Sequence, residues 1–188
     1  MSNIRYASIR ELDISNGEGI GVALFVQGCH FHCYNCFNTE TWDFNGGKEW
    51  TEETKNKFIK LIDRPYINRI SVLGGEPLAE QNLDEVLSLI KEIRISFPEK
   101  TIWLYTGLQW SQIIANIHQP TFPDEKFEHD RNIHMKRQKI ISNVDVLVDG
   151  EYIDEQRDIT LKWRGSSNQR VIDVKQSLAQ NKVVLYCN

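Results

Sequence analysis

Short apolar segments that alternate with amphipathic ones constrain the fold of this chain more than any other feature. The segment GVALFVQ, at positions 21–27, is almost continuously apolar, which is typical of a strand buried on both faces of a parallel sheet. Four further segments predict strands, namely RISVL at 69–73, TIWLYTG at 101–107, VDVLVDG at 144–150 and KVVLY at 182–186. Because strands that alternate with helices form right-handed βαβ units, the sequence predicts an α/β fold around a parallel sheet.

The segments between these strands mostly have helical period. TEETKNKFIKLID begins at Thr51, a suitable N-cap, and QWSQIIANI predicts a short helix. In NLDEVLSLIKEIRISF, Asn82 and Glu85 have the spacing of a capping box. Residues 118–139 are polar and have little periodicity, so we expect an insertion or a long loop there.

Length and charge exclude several classes of protein. At 188 residues the chain is long enough to bury its own core, and we expect residues 1–188 to form a single domain. The formal net charge is −4 and no long block of Lys and Arg occurs, so the sequence predicts no nucleic-acid partner. No apolar run of membrane-spanning length and no signal peptide are visible, which predicts no membrane partner and a cytoplasmic location. Thiols stay reduced in the cytoplasm, so disulfide bonds are not expected.

Three of the four cysteines lie within GCHFHCYNCF, directly after the first predicted strand. Cys29, Cys33 and Cys36 have the spacing C-x3-C-x2-C, which suits a metal site. A structural zinc ion needs four ligands, and the fourth would come from His30, His32 or a distant residue. A ferredoxin-type cluster needs a fourth cysteine, which only Cys187 supplies. The two histidines are expected to be loop residues, and Cys187, second from the C-terminus, is expected to be poorly anchored.

The segment LGGEP follows the second predicted strand. On its own, a Gly-Gly pair after a strand is consistent with an ordinary turn. Alternatively, Gly74 and Gly75 lack a Cβ atom and allow the backbone to approach a ligand, while Glu76 can accept hydrogen bonds from an ammonium group. Because the carboxyl ends of parallel strands meet at one edge of a sheet, we expect this segment to lie beside the cysteines.

The cysteine spacing after a first strand resembles that of the radical S-adenosylmethionine enzymes, and NGEGIGVALFVQGCHFHCYNCFN resembles the start of the glycyl-radical activating enzymes among them. The resemblance implies an incomplete (β/α) barrel of about five to six units. It also implies a [4Fe-4S] cluster on the three cysteines, with S-adenosyl-L-methionine on the fourth iron. The cofactor-binding residues implied by the resemblance are Tyr34, Asn35, Cys36 and Phe37 near the adenine, and Gly74, Gly75 and Glu76 near the methionyl group. Asn35 stands where an aromatic residue is common, so only its backbone is expected to serve, with Tyr34 or Phe37 supplying a ring.

Two later segments, VLVDG and WRGSSNQRVIDV, are similar to the members of that family that activate anaerobic ribonucleoside-triphosphate reductase. The resemblance implies reductive cleavage of S-adenosylmethionine, with an electron from a donor such as flavodoxin, and a glycyl radical near the C-terminus of the reductase. Two alternatives remain: an activase of another glycyl-radical enzyme of the pyruvate formate-lyase type, or a non-catalytic metal-binding partner protein. Within WRGSSNQR, the polar residues either form a turn or contact the cofactor or the reductase. The candidates for such contacts are Asn168, Gln169 and Arg170.

Overall fold

The computed structural model describes residues 4–115 and 124–187. Seven strands are present: β1 (Arg5–Asp13), β2 (Gly21–Val26), β3 (Lys48–Glu49), β4 (Arg69–Gly74), β5 (Thr101–Tyr105), β6 (Val146–Asp149) and β7 (Arg170–Asp173). The α-helices are α1 (Glu52–Ile62), α2 (Leu83–Ser96), α3 (Trp110–Ile114), α4 (Glu125–Ile141) and α5 (Val174–Gln180). Short 3₁₀ helices span Thr39–Thr41, Glu80–Asn82 and Asp154–Gln156. The strands form one mixed sheet in the order β3-β1-β2-β4-β5-β6-β7, so the predicted α/β class is confirmed.

The centre of the sheet is parallel, as the apolar segments predicted. Strands β2, β4, β5 and β6 pair in parallel, and each is almost entirely buried. In the register of the first pair, Val26 lies opposite Gly74 at the carboxyl end. The cysteine segment and the LGGEP segment therefore leave the sheet side by side, as expected.

The edges of the sheet differ from the expectation. Strands β1 and β7 pair antiparallel with their neighbours, so the described residues contain four parallel strands joined by three crossovers, fewer than the expected five to six units. The predicted last strand, KVVLY, is wrong, because this segment contributes only an isolated bridge between Leu185 and Ile172. The Val184 amide donates to the Ser177 hydroxyl instead of a strand carbonyl, at 2.9 Å, which interrupts pairing.

Helix α4 corrects the expectation of a loop over residues 118–139. Asp124 caps it, because its carboxylate accepts a hydrogen bond from the Phe127 amide at 2.7 Å. Only Ile140 and Ile141 of the helix are buried, so the polar sequence lacked the apolar period that indicates a helix. Residues 118–123 of the same stretch lie outside the described part of the chain.

The start of α2 also differs from the prediction, whereas the start of α1 agrees with it. The Thr51 hydroxyl accepts from the Thr54 amide at 3.2 Å, so that N-cap is confirmed. Asn82 makes no side-chain cap, and the predicted capping box with Glu85 is wrong. Its amide group is instead buried and donates to two backbone carbonyls at the carboxyl ends of β2 and β4.

The two faces of the sheet are covered in different ways. One face carries the large core, in which alternate strand residues such as Leu24, Val72 and Leu104 belong to the same cluster as Phe58, Ile90 and Ile141 of the helices. The opposite face bears Phe25, Leu73, Trp103, Tyr105 and Val148. No helix in the described residues is long and apolar enough to cross a bilayer.

A buried ion pair covers the lower part of this second face, by which we mean the amino ends of the parallel strands. The Arg69 guanidinium on β4 donates to the Asp13 carboxylate at 2.8 Å, and both side chains are almost inaccessible to solvent. The loop after β1 is held at the same place, because the Asn16 carbonyl accepts hydrogen bonds from the Arg69 guanidinium and, at 2.6 Å, from the Ser71 hydroxyl. Gly17 in this loop has φ +132°, and a Cβ atom there would lie 2.7 Å from Trp103. The loop thus packs against the sheet and leaves the upper part of the face, at the carboxyl ends of the parallel strands, open.

Candidate functional site

The cysteine loop, which we define as residues 28–37, is joined directly to the LGGEP segment. The Gly28 carbonyl accepts from the Glu76 amide at 2.7 Å, and the Gly75 amide donates to the Val26 carbonyl at 2.9 Å. A Cβ atom on Gly75 would lie 2.4 Å from the Gly28 carbonyl oxygen, and one on Gly74 would lie 2.7 Å from the Phe25 Cα atom. Gly75 is therefore required by packing against the cysteine loop and Gly74 by packing against β2, and both requirements differ from the ligand approach for which the sequence suggested these glycines.

Residues 39–46 support the cysteine loop from outside. The Gly28 and Cys29 amides donate to the Thr41 and Trp42 carbonyls at 2.7 and 3.0 Å. His32 stacks on the Trp42 ring with 4.6 Å between centroids, and His30 contacts the Phe44 ring at the same separation. Both histidines are thus packing residues of the loop, in agreement with the expectation.

All four cysteines are free and partly buried. Burial raises the pKa of Cys29 to about 11, and the nearby Glu76 adds to this effect. Burial also raises the pKa of Cys33, although the Tyr152 amide opposes the shift. The Cys36 sulfur accepts a hydrogen bond from the Asn38 amide at 3.4 Å. The Cys29 and Cys33 thiols are therefore protonated near neutral pH in the metal-free chain, and each would have to lose its proton to bind a metal.

The main cavity has a volume of about 510 Å³ and opens beside the cysteine loop. Seven of the predicted site residues line it: Cys29, Cys33, Cys36, Phe37, Gly74, Gly75 and Glu76. Tyr34 and Asn35 are not among the lining residues, and the Tyr34 side chain is 75% exposed. A cavity of this size accepts a ligand of the size of a nucleoside cofactor. Of the two rings considered, the structure brings Phe37 to the cavity.

The donor groups of the main cavity fit an iron–sulfur cluster with a polar organic ligand beside it. Three thiols from one loop face a single cavity, and thiolates are the usual ligands of such clusters. Two residues that line the cavity, Tyr105 and Arg164, carry buried polar atoms without a hydrogen-bond partner among the described residues. The three thiols supply the right type of ligand but are not drawn together as a ready-made site, because among the described residues no group of three or more His, Cys, Asp or Glu side chains is arranged to hold a metal ion.

Glu76 connects three segments of the site. One carboxylate oxygen accepts from the Leu78 amide at 2.7 Å and the Thr106 hydroxyl at 2.8 Å, and the other accepts from the Gly107 amide at 2.8 Å. Burial raises the pKa of Glu76, and the three donors oppose that shift. The side chain predicted to bind an ammonium group therefore also fixes the loops that follow β4 and β5.

Asn82 reinforces the same junction, which the sequence did not reveal. Its amide nitrogen donates to the Gln27 carbonyl at 3.0 Å and to the Glu76 carbonyl at 2.9 Å. One side chain thereby links the residue before the cysteine loop to the LGGEP segment. The misassigned capping box concealed this role, because an Asn before a helix ordinarily predicts a cap.

The sequence also missed most of the cavity wall that the β6–β7 segment supplies, defined as residues 150–169. Tyr152, Ile159, Leu161, Trp163 and Arg164 of this segment line the main cavity. They follow no simple period, and only Trp163 and Arg164 belong to a motif that the sequence singled out, WRGSSNQR. The segment contacts the cysteine loop, and we call the part of the cavity wall that it supplies the roof.

The WRGSSNQR motif forms the turn at the end of this segment. The side-chain oxygen of Gln169 accepts a hydrogen bond from the Gly165 backbone amide at 2.9 Å. The side-chain amide of Asn168 donates to the Glu151 backbone carbonyl at 2.8 Å. Arg170 forms an ion pair with the buried Asp149. These polar side chains bind their own chain, as the turn alternative predicted, and only Gln169 of the three candidates lines the cavity.

Cys187 is better anchored than its position predicted. The neighbouring Tyr186 amide donates to the Val171 carbonyl at 2.8 Å, and the Tyr186 ring contacts Trp103 with 5.2 Å between centroids. Cys187 packs against the cluster of Trp103 and Val171 and is not among the residues that line the main cavity. The structure thus separates it from the other three cysteines.

Known proteins resemble this chain over most of its length. The family model described as a 4Fe-4S single cluster domain matches residues 15–172. Three relatives share the name anaerobic ribonucleoside-triphosphate reductase-activating protein. The one from Salmonella typhi is 34% identical over 170 residues, which cover 89% of this chain and 97% of the relative. Those from Escherichia coli strain K12 and Enterobacteria phage T4 are 33% and 32% identical over the same length, covering 97% and 93% of the relatives. The chain therefore belongs to the family of the anaerobic ribonucleoside-triphosphate reductase-activating proteins.

Proposed function

We propose that this protein is a radical S-adenosylmethionine activase that generates a glycyl radical on anaerobic ribonucleoside-triphosphate reductase. The observation that carries the proposal is the arrangement of the cysteine loop and the LGGEP segment on one cavity, joined by the hydrogen bond from Glu76 to Gly28. Relatives at 34% identity over nearly their whole length bear the name of that activity. Among the described residues, the apolar clusters on the sheet face that bears Phe25 and Trp103 contain no helix residue, which supports the finer assignment of an incomplete radical S-adenosylmethionine barrel whose interior this face would form.

In the proposed site, Cys29, Cys33 and Cys36 would hold a [4Fe-4S] cluster, and three cysteines would leave one iron without a protein thiolate. S-adenosylmethionine would bind at that iron, with its methionyl amino group near Gly74, Gly75 and Glu76. Its adenine would lie beside residues 34–37, where Phe37 offers the ring that lines the cavity. When bound, the cluster and S-adenosylmethionine supply a one-electron reductive cleavage that ends in hydrogen removal from a glycine Cα atom.

The chain's own residues position these groups and protect the reaction. The three thiols lose their protons and bind as thiolates. Glu76 holds the loops after β4 and β5 in fixed relation through its three donors. Phe25, Leu73 and Val148 line the cavity with apolar atoms, which excludes water and competing hydrogen donors. We nominate no side chain as a general acid or base, and we expect a donor such as flavodoxin to supply the electron.

Electron paramagnetic resonance tests the proposal directly. The reconstituted protein is incubated anaerobically with a reductant, S-adenosylmethionine and the reductase. We expect a glycyl doublet that requires all three additions. A parallel incubation with pyruvate formate-lyase in place of the reductase should give no doublet. A signal only with pyruvate formate-lyase would favour the alternative activase, and no signal with either partner in a protein that holds its cluster would contradict the proposal.

A further inference from the structure

We propose that Asn35 and Asp154 are positioning residues that hold the β6–β7 segment against the cysteine loop and so fix the roof of the main cavity. The Asn35 amide nitrogen donates to one Asp154 carboxylate oxygen at 3.0 Å, across 119 positions of the chain. Asn35 lies between Cys33 and Cys36, so this bond ties the roof to the part of the loop that carries two of the three thiols.

The second Asp154 oxygen also has a partner. It accepts from the Tyr152 hydroxyl at 2.6 Å, so the carboxylate is held on both sides. These two hydrogen bonds, first that of Tyr152 and then that of Asn35, lower the pKa of Asp154. The group is therefore an anionic acceptor near neutral pH, and its bond with Asn35 is charge-assisted.

Apolar contacts continue the same junction. The Phe37 and Tyr152 rings lie 5.2 Å apart, and the Arg157 guanidinium lies 5.3 Å from the Phe37 ring centroid. A Cβ atom on Gly165 would be 3.1 Å from both Phe37 and Tyr152, so the turn approaches these rings closely. The contacts of Phe37 with Tyr152, Arg157 and Gly165 join the cysteine loop to the β6–β7 segment.

The backbone at Asn35 explains why an amide side chain is suitable here. Its φ of +53° lies in the left-handed region, which Asn and Asp tolerate better than other residues with a side chain. An exchange between Asn and Asp at this position therefore preserves the backbone conformation. The pair can thus be tested by reciprocal substitution, without the strain that an alanine at position 35 would add.

Three variants isolate the contact. Asn35→Asp places two carboxylates opposite each other, and Asp154→Asn removes the charged acceptor. The double variant Asn35→Asp with Asp154→Asn restores one amide and one carboxylate with the direction of the bond reversed. In that variant the new amide at position 154 keeps a side-chain oxygen that can accept from the Tyr152 hydroxyl. Glu155→Gln is the matched control, since it removes one charge from the same 3₁₀ helix at a residue for which no hydrogen bond or ion pair occurs among the described residues.

Limited trypsin digestion of the metal-free protein is the primary measurement, with cleavage after Arg157 and Lys162 followed by mass spectrometry. Cleavage of a folded protein reports local opening of the segment that is cut. We expect trypsin to cut Asn35→Asp about fivefold faster than wild type, because losing an exposed charged contact changes the opening equilibrium by about that factor. The cleavage rate of the Glu155→Gln control should equal that of wild type. The double variant should return to within about twofold of wild type. Equal cleavage of Asn35→Asp and wild type, or no recovery in the double variant, would overturn the inference.

A second measurement addresses the cavity and rests on the proposed function for the identity of the ligand. S-adenosylmethionine affinity of the reconstituted variants, measured through the change in the cluster's paramagnetic resonance spectrum, should weaken in Asn35→Asp and recover in the double variant. Affinity that is equal in all variants would contradict a positioning role. If wild type binds no S-adenosylmethionine, the proposed function fails, while the digestion still decides whether the contact holds the roof.

Discussion

Gly75 is the residue at which the two loops of the site come closest. The sequence identified Gly75 from the Gly-Gly pair. Its contact partner is the backbone carbonyl of Gly28, 47 positions earlier, and the sequence could not predict that contact. Likewise, Glu76 was predicted as a site residue, whereas its three internal donors depend on how the loops after β4 and β5 meet. A motif thus predicts which residues belong to the site, and the fold determines what each of them contacts.

Gly75→Ala should impair cluster binding as well as cofactor binding. The new Cβ atom would lie 2.4 Å from the Gly28 carbonyl oxygen, and neither backbone can move without displacing Cys29. We expect a loss of about 1 to 3 kcal/mol in the free energy of unfolding and a lower iron content. Iron analysis after anaerobic reconstitution measures the second effect.

Gly165→Ala is the control for that variant. A Cβ atom there meets only side-chain atoms, of Phe37 and Tyr152, at 3.1 Å. Its iron content should stay near that of wild type. Full iron content in Gly75→Ala would show that the contact with Gly28 does not constrain the cysteine loop.

Alanine substitution should separate the four cysteines into two groups. Cys29, Cys33 and Cys36 line the main cavity, and loss of any of them leaves one iron without its protein ligand. Cys187 packs against Trp103 and Val171 instead. Iron content and the visible iron–sulfur absorbance should therefore be lost in the first three variants and retained in Cys187→Ala. Equal loss of iron in Cys187→Ala would point to a cluster with four cysteine ligands.

At the scale of secondary-structure elements, the sequence predicted those elements whose apolar residues form a clear pattern. Strands β2, β4, β5 and β6 were evident because both of their faces are buried and their sequences are nearly continuous apolar runs. Helix α4 was missed because it buries apolar side chains only at its end. Strand β1 was missed because it is largely exposed and carries charged residues. Elements at the edge of a fold leave weak patterns, since few of their positions have to be apolar.

Asp145, at the start of β6, joins four elements and supplies a test by pH. Its carboxylate accepts from the Ile102 amide at 2.8 Å and from Lys175 at 2.7 Å, and it also pairs with Arg94. Burial raises its pKa, but the bonds from Lys175 and Arg94 outweigh burial, so the pKa lies below the ordinary value of 3.8. Because the pKa of this carboxyl group is lower in the folded state than in the unfolded chain, Asp145 stabilises the fold at pH values above 3.8. This contribution is lost as the pH falls through the lowered pKa.

Asp145→Asn should therefore lower the free energy of unfolding by about 2 kcal/mol near pH 7. The difference from wild type should shrink as the pH falls below 3.8, because wild-type Asp145 then becomes protonated. Urea unfolding at a series of pH values measures this difference. Asp84→Asn is a suitable control, since its side chain is 80% exposed and little change is expected. A difference that stays constant down to acid pH would contradict the assignment of the charge to this junction.

At the scale of the whole molecule, the segment around Tyr186 and the loop after β1 meet on the sheet face that carries the cavity. The Tyr186 ring contacts Trp103 and Trp163, and its hydroxyl donates to Glu18 in the loop after β1. The tail and that loop therefore close the lower part of the face, below the cavity. The sequence predicted the parallel sheet and the cysteine and LGGEP loops at its carboxyl edge. It could not predict this closure, which depends on contacts between residues far apart in the chain.

Tyr186→Ala should destabilise the protein by about 1 to 2 kcal/mol, because an aromatic side chain that is 38% exposed loses its contacts with two tryptophans. For a chain of this length the melting temperature should fall by roughly 2 to 8 °C. Tyr186→Phe keeps the ring and loses only the hydroxyl contact with Glu18, so most of the stability should remain. Equal melting temperatures for wild type and Tyr186→Ala would show that the tail does not close the face. Differential scanning calorimetry provides the comparison.

We expect this protein to remove a hydrogen atom from a glycine Cα atom of anaerobic ribonucleoside-triphosphate reductase. Reductase prepared with glycine deuterated at the Cα atom tests this hydrogen transfer, because the removed atom is then labelled. After anaerobic incubation with the reconstituted protein, reductant and S-adenosylmethionine, the 5′-deoxyadenosine formed is analysed by mass spectrometry. We expect deuterium to appear in 5′-deoxyadenosine in proportion to the glycyl radical formed. Unlabelled 5′-deoxyadenosine accompanying a full glycyl signal would contradict it.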